Sequence, residues 1–190
     1  LALRFVMLTM VRKGEFINAT WDEIDFDNAT WTIPKERMKT GKAHVVYLSN
    51  QAQDILITFK TCFSTSNHLH PGRYDMNTPI SNATLNRVIE VAVKSINSQG
   101  EEFENFTVHD LRRTASSLLN EAGFNRDWIE KCLAHEEGSI RGIYNKAEYG
   151  EQRRVMLQAW ADMIDAWCKG ESVREIVRKE AVIIIFSAFQ

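Results

Sequence analysis

Between Thr20 and Leu48 the chain changes texture. Short runs rich in Trp, Ile, Val and Thr (Thr20 to Asp25, Thr30 to Pro34, His44 to Leu48) alternate with the turn-forming stretches Phe26-Asp27-Asn28 and Met38 to Lys42. β-branched and aromatic side chains fit a pleated, half-buried surface, and Asn, Asp and Gly favour the turns between such runs. The pattern predicts a three-stranded antiparallel meander. Around it the apolar residues recur at helical spacing, so the expected class is α+β, mostly α: a helical domain with one small three-stranded antiparallel sheet near its front.

The helical segments are read from stripes and caps. Leu1 to Met10 is apolar at almost every position, which predicts a helix buried on most sides. Ser49 is placed to cap a helix carrying Ala52, Ile55, Leu56 and Phe59. A loop is expected from Thr61 to Pro79. Ser81 or Asn82 then caps a helix whose stripe is Leu85, Val88, Ile89, Ala92, Val93 and Ile96, and a second loop covers Asn97 to Asn105. Thr107 and Asp110 stand in capping-box register at the head of a helix that ends before Gly123, a natural C′ residue. Further helices are expected at Arg126 to Ala134, around Ser139 to Ala147 and at Glu151 to Cys168. A charged stretch, Glu171 to Glu180, precedes the apolar run Ala181 to Phe189.

With 44% hydrophobic and 25% charged residues, the composition excludes a disordered or low-complexity chain. Cys62, Cys132 and Cys168 lie far apart without a CxxC pair, which argues against a zinc ribbon or disulfide framework and for reduced thiols in a cytoplasmic protein. No apolar run approaches the ~20 residues of a membrane span. A net charge of −2 argues against a protein that coats DNA nonspecifically, while leaving room for a local basic site. The chain opens at Leu1 within an apolar run and without an initiator Met, which reads as a fragment lacking its N-terminal portion.

On a helical wheel, Leu111, Ala115, Leu118 and Ala122 form one stripe of the Thr107 to Ala122 segment, and His109, Arg112, Arg113 and Ser116 fall opposite. An imidazole and a guanidinium one turn apart suit a phosphate, because Arg offers fork-shaped donors and His can donate or move a proton. His44, His68 and His70 lack nearby acidic ligands and are not assigned to a metal. The five tryptophans read as packing residues, and Arg153 and Arg154 read either as contacts to DNA phosphates or as exposed side chains.

The same chemistry recurs in order along the chain: Arg12 in LTMVRKGE, Lys39 in RMKTGKAHVVYLS, His109 and Arg112 in TVHDLRRT, His135 in CLAH and Tyr144 in GIYNKAEY. This set resembles the catalytic residues of the tyrosine recombinases, and TWDEIDFDNATWTIPKERMKTGKAHVVYLS and HDLRRTASSLLNEAGF resemble the integrases of phages and genomic islands in particular. The resemblance implies that Arg12 and Arg112 flank the scissile phosphate, with Glu15 as the acidic residue of the first arginine's motif. Met10 departs from that motif, which has Gly there. Lys39 is then the hairpin lysine, with Lys42 its nearby competitor; His109 and His135 assist proton movement; and Tyr144 is the nucleophile, with Tyr149 the alternative.

The chemistry has independent grounds. Two guanidiniums can stabilise the charge that develops on a phosphodiester under in-line attack, without a metal. A protonated tyrosine needs neighbours that accept its proton, and a departing 5′-oxygen needs a proton, which a flexible ammonium can deliver. The resemblance further implies a catalytic domain over residues 1–168 and a C-terminal tail over 169–190 exchanged between protomers, the other reading of the tail being that it folds back onto its own domain. It also implies a DNA-integrating and excising enzyme that uses no cofactor or metal, takes double-stranded DNA attachment sites as its partner and acts as a homotetramer in the synaptic complex, the fragment alone being a monomer or dimer. A catalytically inactive DNA-binding module of the same fold, or a type IB topoisomerase-like enzyme, are the other readings.

Overall fold

The first helix determines where the other elements go. In the computed structural model, which describes residues 1–135 and 147–171, α1 (Ala2–Thr9) buries Phe5, Val6, Leu8 and Thr9. Three longer helices lie against it: α3 (Asn50–Cys62), α5 (Val108–Glu121) and α7 (Gly150–Cys168). A helix apolar on nearly every side has to be surrounded, and this one is. The indole of Trp160 in α7 donates to the Met7 carbonyl at 2.9 Å, which joins the two ends of the described chain.

The predicted meander is present: β1 (Ile24–Asp25), β2 (Thr30–Ile33) and β3 (His44–Tyr47) pair antiparallel in that order, with Trp31 opposite Val46. Its first strand is shorter than its sequence run, because Trp21–Glu23 turn as a 3-10 helix. That turn carries the Glu23 carboxylate to the Trp31 indole at 2.8 Å and to Arg37 at 2.6 Å. Asp25 closes the first turn by accepting from the Asn28 backbone N–H at 2.9 Å, and Gly41, at φ 66, supplies the left-handed residue of the second. Phe5, Phe16, Trp31 and Phe59 form a ring cluster between the sheet and the helices.

Most caps and stripes fall where the sequence puts them. Ser49 Oγ accepts from the Ala52 N–H at 3.3 Å, and Ala52, Ile55, Leu56 and Phe59 are buried. Thr107 and Asp110 form the capping box of α5, and Gly123 follows its end at φ 84. Asn125 caps α6 (Arg126–Cys132). Two details differ. Helix α4 (Thr84–Asn97) has Ala83 at its N-cap, because the Ser81 hydroxyl bonds the Thr84 hydroxyl at 3.0 Å instead of a backbone N–H. Its stripe is also narrower than expected: Leu85, Ile89 and Val93 are buried, whereas Val88, Ala92 and Ile96 are exposed.

A short helix the sequence pattern did not mark, α2 (Lys13–Ile17), follows Arg12. The helix expected around Ser139 to Ala147, apart from Ala147 itself, lies outside the described residues, as does the tail from residue 172 onward. Among the described residues no helix is long and apolar enough to cross a membrane.

Candidate functional site

The end of α1 and the start of α2 bring Arg12 to the surface of the core. Met10 ends α1 at φ 56, ψ 21, the left-handed region that glycine adopts freely and methionine adopts at a cost. The glycine of the resembled motif therefore has a conformational reason, and Met10 keeps that conformation with its side chain fully buried. Arg12 follows as the N-cap of α2. The Glu15 carboxylate receives its backbone N–H at 2.7 Å and its guanidinium at 2.8 Å, so one buried acid both caps the helix and directs the arginine. The other terminal nitrogen of Arg12 donates to the Ala134 carbonyl at 3.3 Å.

Arg112 reaches the same place from α5. Its two terminal nitrogens donate to the carbonyls of Met10 and Leu133. This corrects the wheel reading that set Arg112 opposite the apolar stripe: it is 6% exposed and lies on the buried face with Val108, Ala115 and Leu119, while Leu111 and Leu118 are only half-buried. A guanidinium is tolerated there because main-chain carbonyls meet its donors. Burial and the neighbouring Arg12 lower its pKa to about 10, Glu15 partly opposing them, so it remains charged at neutral pH. His109 is exposed on α5, so the imidazole and the guanidinium do not share an outward face.

His135 closes the group. Leu133 caps α6, Ala134 takes φ 45, and the His135 and Ala134 N–H groups bond back to the carbonyls of Glu130 and Lys131 at 3.1 Å each, a Schellman ending. The Glu130 carboxylate holds His135 Nδ1 at 2.7 Å, which makes Nε2 the acceptor of the neutral ring. Arg12 and Arg112 thus bond the two consecutive carbonyls that immediately precede His135.

Lys39 is exposed on the turn between β2 and β3, and Lys42 is exposed on the same turn. Among the described residues no hydrogen bond or ion pair joins Lys39 or His109 to the arginine group. Tyr144 lies outside the described residues. Tyr149, its competitor, is half-buried at φ 52 as the N-cap of α7. Among the described residues no three His, Cys, Asp or Glu side chains cluster to hold a metal ion.

Two residues that the sequence reading set elsewhere belong to this neighbourhood. His44, at the start of β3, is 8% exposed; burial first, then Arg153, Arg112 and Arg12, bring its pKa down to about 3, so it is neutral. Arg153, expected at the surface or on DNA, is 2% exposed. A signal for it existed, because Arg153 falls in helical register with the buried Met156, Leu157 and Trp160. The Cys132 thiol is also buried, which pushes its pKa up and keeps it protonated. The part-exposed Arg12 guanidinium and the imidazole of His135 thus stand beside the same carbonyls that hold the buried Arg112.

Residues 1–151 match the model of the phage integrase family. The chain is 39% identical over 168 residues to the prophage integrase IntA of Escherichia coli (strain K12), covering 88% of this chain and 39% of that protein. It is 36% identical to the integrase of Shigella phage Sf6, covering 87% of this chain and 41% of that one. It therefore spans about two fifths of the length of these relatives. In solved structures its fold is shared with the XerA recombinase (TM-score 0.58, 20% identity, 83% of this chain and 55% of that chain). It is shared as well with the Tn1549 transposon integrase in complex with circular intermediate DNA (TM-score 0.59, 16% identity, 82% and 56%).

Proposed function

Because this chain belongs to the phage integrase family, we propose that it is the catalytic part of a site-specific DNA recombinase, which integrates or excises a mobile element by cutting and rejoining DNA through a covalent 3′-phosphotyrosine. The observation that carries the reading is the convergence of Arg12 and Arg112, from helices far apart in sequence, on the consecutive carbonyls of Leu133 and Ala134 beside His135.

In this reading the Tyr144 oxygen attacks the scissile phosphorus; the Tyr O–P bond forms as the P–O5′ bond breaks, and the tyrosine proton passes to a neighbouring base, for which His135 Nε2 is available. Lys39 protonates the departing 5′-oxygen. Arg12 and Arg112 stabilise the charge that builds on the nonbridging oxygens, and His109, at the exposed end of α5, donates to the same phosphate. The phosphodiester energy is kept in the phosphotyrosine, so rejoining by a 5′-hydroxyl needs neither ATP nor a metal. Residues 1–168 form the catalytic domain, and 169–190 a tail that packs on another protomer. The partner is double-stranded DNA carrying attachment sites, the active assembly is a homotetramer, and the setting is the bacterial cytoplasm.

A nicked suicide DNA bearing the element's own end tests this. The wild-type chain should become covalently linked to DNA, with the adduct mapped by mass spectrometry to Tyr144, and Tyr144→Phe should form none while keeping the fold. An adduct on Tyr149 would reassign the nucleophile. DNA binding without any adduct would favour the inactive binding module, and relaxation of supercoiled DNA without strand exchange between paired sites would favour the topoisomerase-like enzyme.

A further inference from the structure

The hairpin that carries Lys39 returns to the body of the protein through β3, and α7 packs against it there. The junction is built around Arg153. One terminal nitrogen donates to the Val45 carbonyl of β3 at 2.5 Å and the other to the Glu148 carbonyl, just ahead of α7, at 3.3 Å. Its guanidinium lies 5.1 Å from the centre of the Tyr47 ring. Arg154 covers the same ring at 4.9 Å, and Gly150 makes the approach possible, since a Cβ there would lie 2.6 Å from the Tyr47 hydroxyl. One side chain thereby ties β3 and the entrance of α7 together.

As a stability device this is a poor choice. Removing a guanidinium from water costs several kcal/mol, and here Nε stays buried with no hydrogen-bond partner. The Glu148 carboxylate is 4.0 Å away and largely exposed. What a planar fork supplies is a fixed distance between two carbonyls, which a single ammonium does not span.

We propose that Arg153 is a positioning residue for strand cleavage: by fixing β3 against the start of α7, it holds the hairpin so that Lys39 meets the leaving oxygen. The inference rests on the cleavage chemistry proposed above, and Arg153 itself touches no reacting group.

The experiment compares the full 190-residue chain with Arg153→Lys, Arg153→Ala and Lys39→Ala on two nicked substrates. One carries the ordinary 5′-bridging oxygen, and the other a 5′-bridging sulfur, whose leaving group needs no proton. Single-turnover adduct formation at saturating DNA, Kd and melting temperature are measured for each. Arg153→Lys keeps the buried charge and carries the test if Arg153→Ala does not fold. It should slow cleavage of the oxygen substrate by about 10- to 100-fold, the range that follows a misplacement near 1 Å, and recover most of the wild-type rate on the sulfur substrate, as Lys39→Ala does. Kd should change by no more than about twofold. Wild-type cleavage by Arg153→Lys, a Kd loss equal to the rate loss, or failure of sulfur to restore the rate would each overturn the inference while leaving the cleavage chemistry standing. A wild-type chain that forms no adduct overturns both.

Discussion

Glu15→Gln isolates what the buried carboxylate does for Arg12. Glu15 receives the Arg12 backbone N–H at 2.7 Å through one oxygen and the guanidinium at 2.8 Å through the other. Glutamine has the same shape but one oxygen. If it keeps the backbone bond, its amide N–H₂ faces the guanidinium, donor against donor; if it turns over, the helix loses its cap. The first outcome removes a charge-assisted hydrogen bond worth ~1.5–3 kcal/mol, and the second a cap worth ~1 kcal/mol. The Arg12 side chain is 33% exposed, so solvent screening moves the expectation to the lower part of that range, about 1–2 kcal/mol. For a chain of this size that lowers the melting temperature by about 2–8 °C.

The functional effect should be disproportionate to the thermal one. Arg12 would lose its direction toward the phosphate, and cleavage at saturating DNA should fall by about tenfold or more. DNA affinity should not fall, because the substitution removes a negative charge near a polyanion. Thermal melting, single-turnover cleavage of the suicide substrate and fluorescence anisotropy separate the three quantities. A Glu15→Gln protein that melts and cleaves like wild type, or one whose DNA affinity drops in step with cleavage, would refute the claim that Glu15 aims Arg12.

Three further outcomes follow from the local geometry. The groups around His44 are Arg153, Arg112, Arg12 and the Cys132 backbone, and burial brings its pKa from 6.5 to about 3. The unfolded chain therefore binds this proton more readily than the folded one, so the associated stability is complete above pH 6.5 and is lost as pH falls toward about 3. The melting temperature of His44→Gln should decline less steeply with acid than that of wild type, and parallel curves would remove His44 as a source. Ala134→Gly, at φ 45, should stabilise the protein by up to about 1 kcal/mol, since relief of a left-handed residue outweighs the extra freedom of glycine in the unfolded chain. Met10→Gly, at φ 56, should instead destabilise it, because emptying a fully buried methionine site costs about 2–5 kcal/mol. The reverse order of melting temperatures would refute this account of the two residues.

Elements whose signals are local were legible in the sequence. The meander, the Ser49 cap, the Thr107–Asp110 box and the Gly123 stop each depend on residues within a few positions of one another, and each is present. Faces were less legible wherever a charged residue lay in the apolar register. Arg112 and Arg153 both occupy buried stripes, and what admits them is a carbonyl more than a hundred residues away, Met10 in one case and Val45 in the other. No helical wheel carries that information. The α4 stripe was read too wide for the opposite reason: apolar residues such as Val88 and Ile96 need no buried partner to occur on a helix. The order of Arg12, Lys39, His109, Arg112, His135 and Tyr144 was recognisable only through resemblance, because no periodicity links residues so far apart in the sequence.

Arg12, Arg112 and Arg153 are alike in one respect: all bond main-chain carbonyls, those of Ala134, Met10, Leu133, Val45 and Glu148. Side-chain partners have to be inherited in pairs, so that a change in one strands the other. A peptide oxygen is present whatever residue carries it, and five positions around the arginines can therefore drift in identity while the guanidiniums keep their moorings, provided the backbone holds its path. Met10 is a case in point: a bulky residue stands in a glycine's conformation, and its carbonyl still receives Arg112. Mutational tolerance at such a scaffold is limited by backbone shape more than by side-chain chemistry, which makes its turns, and not its contact residues, the places where substitution should be least forgiving.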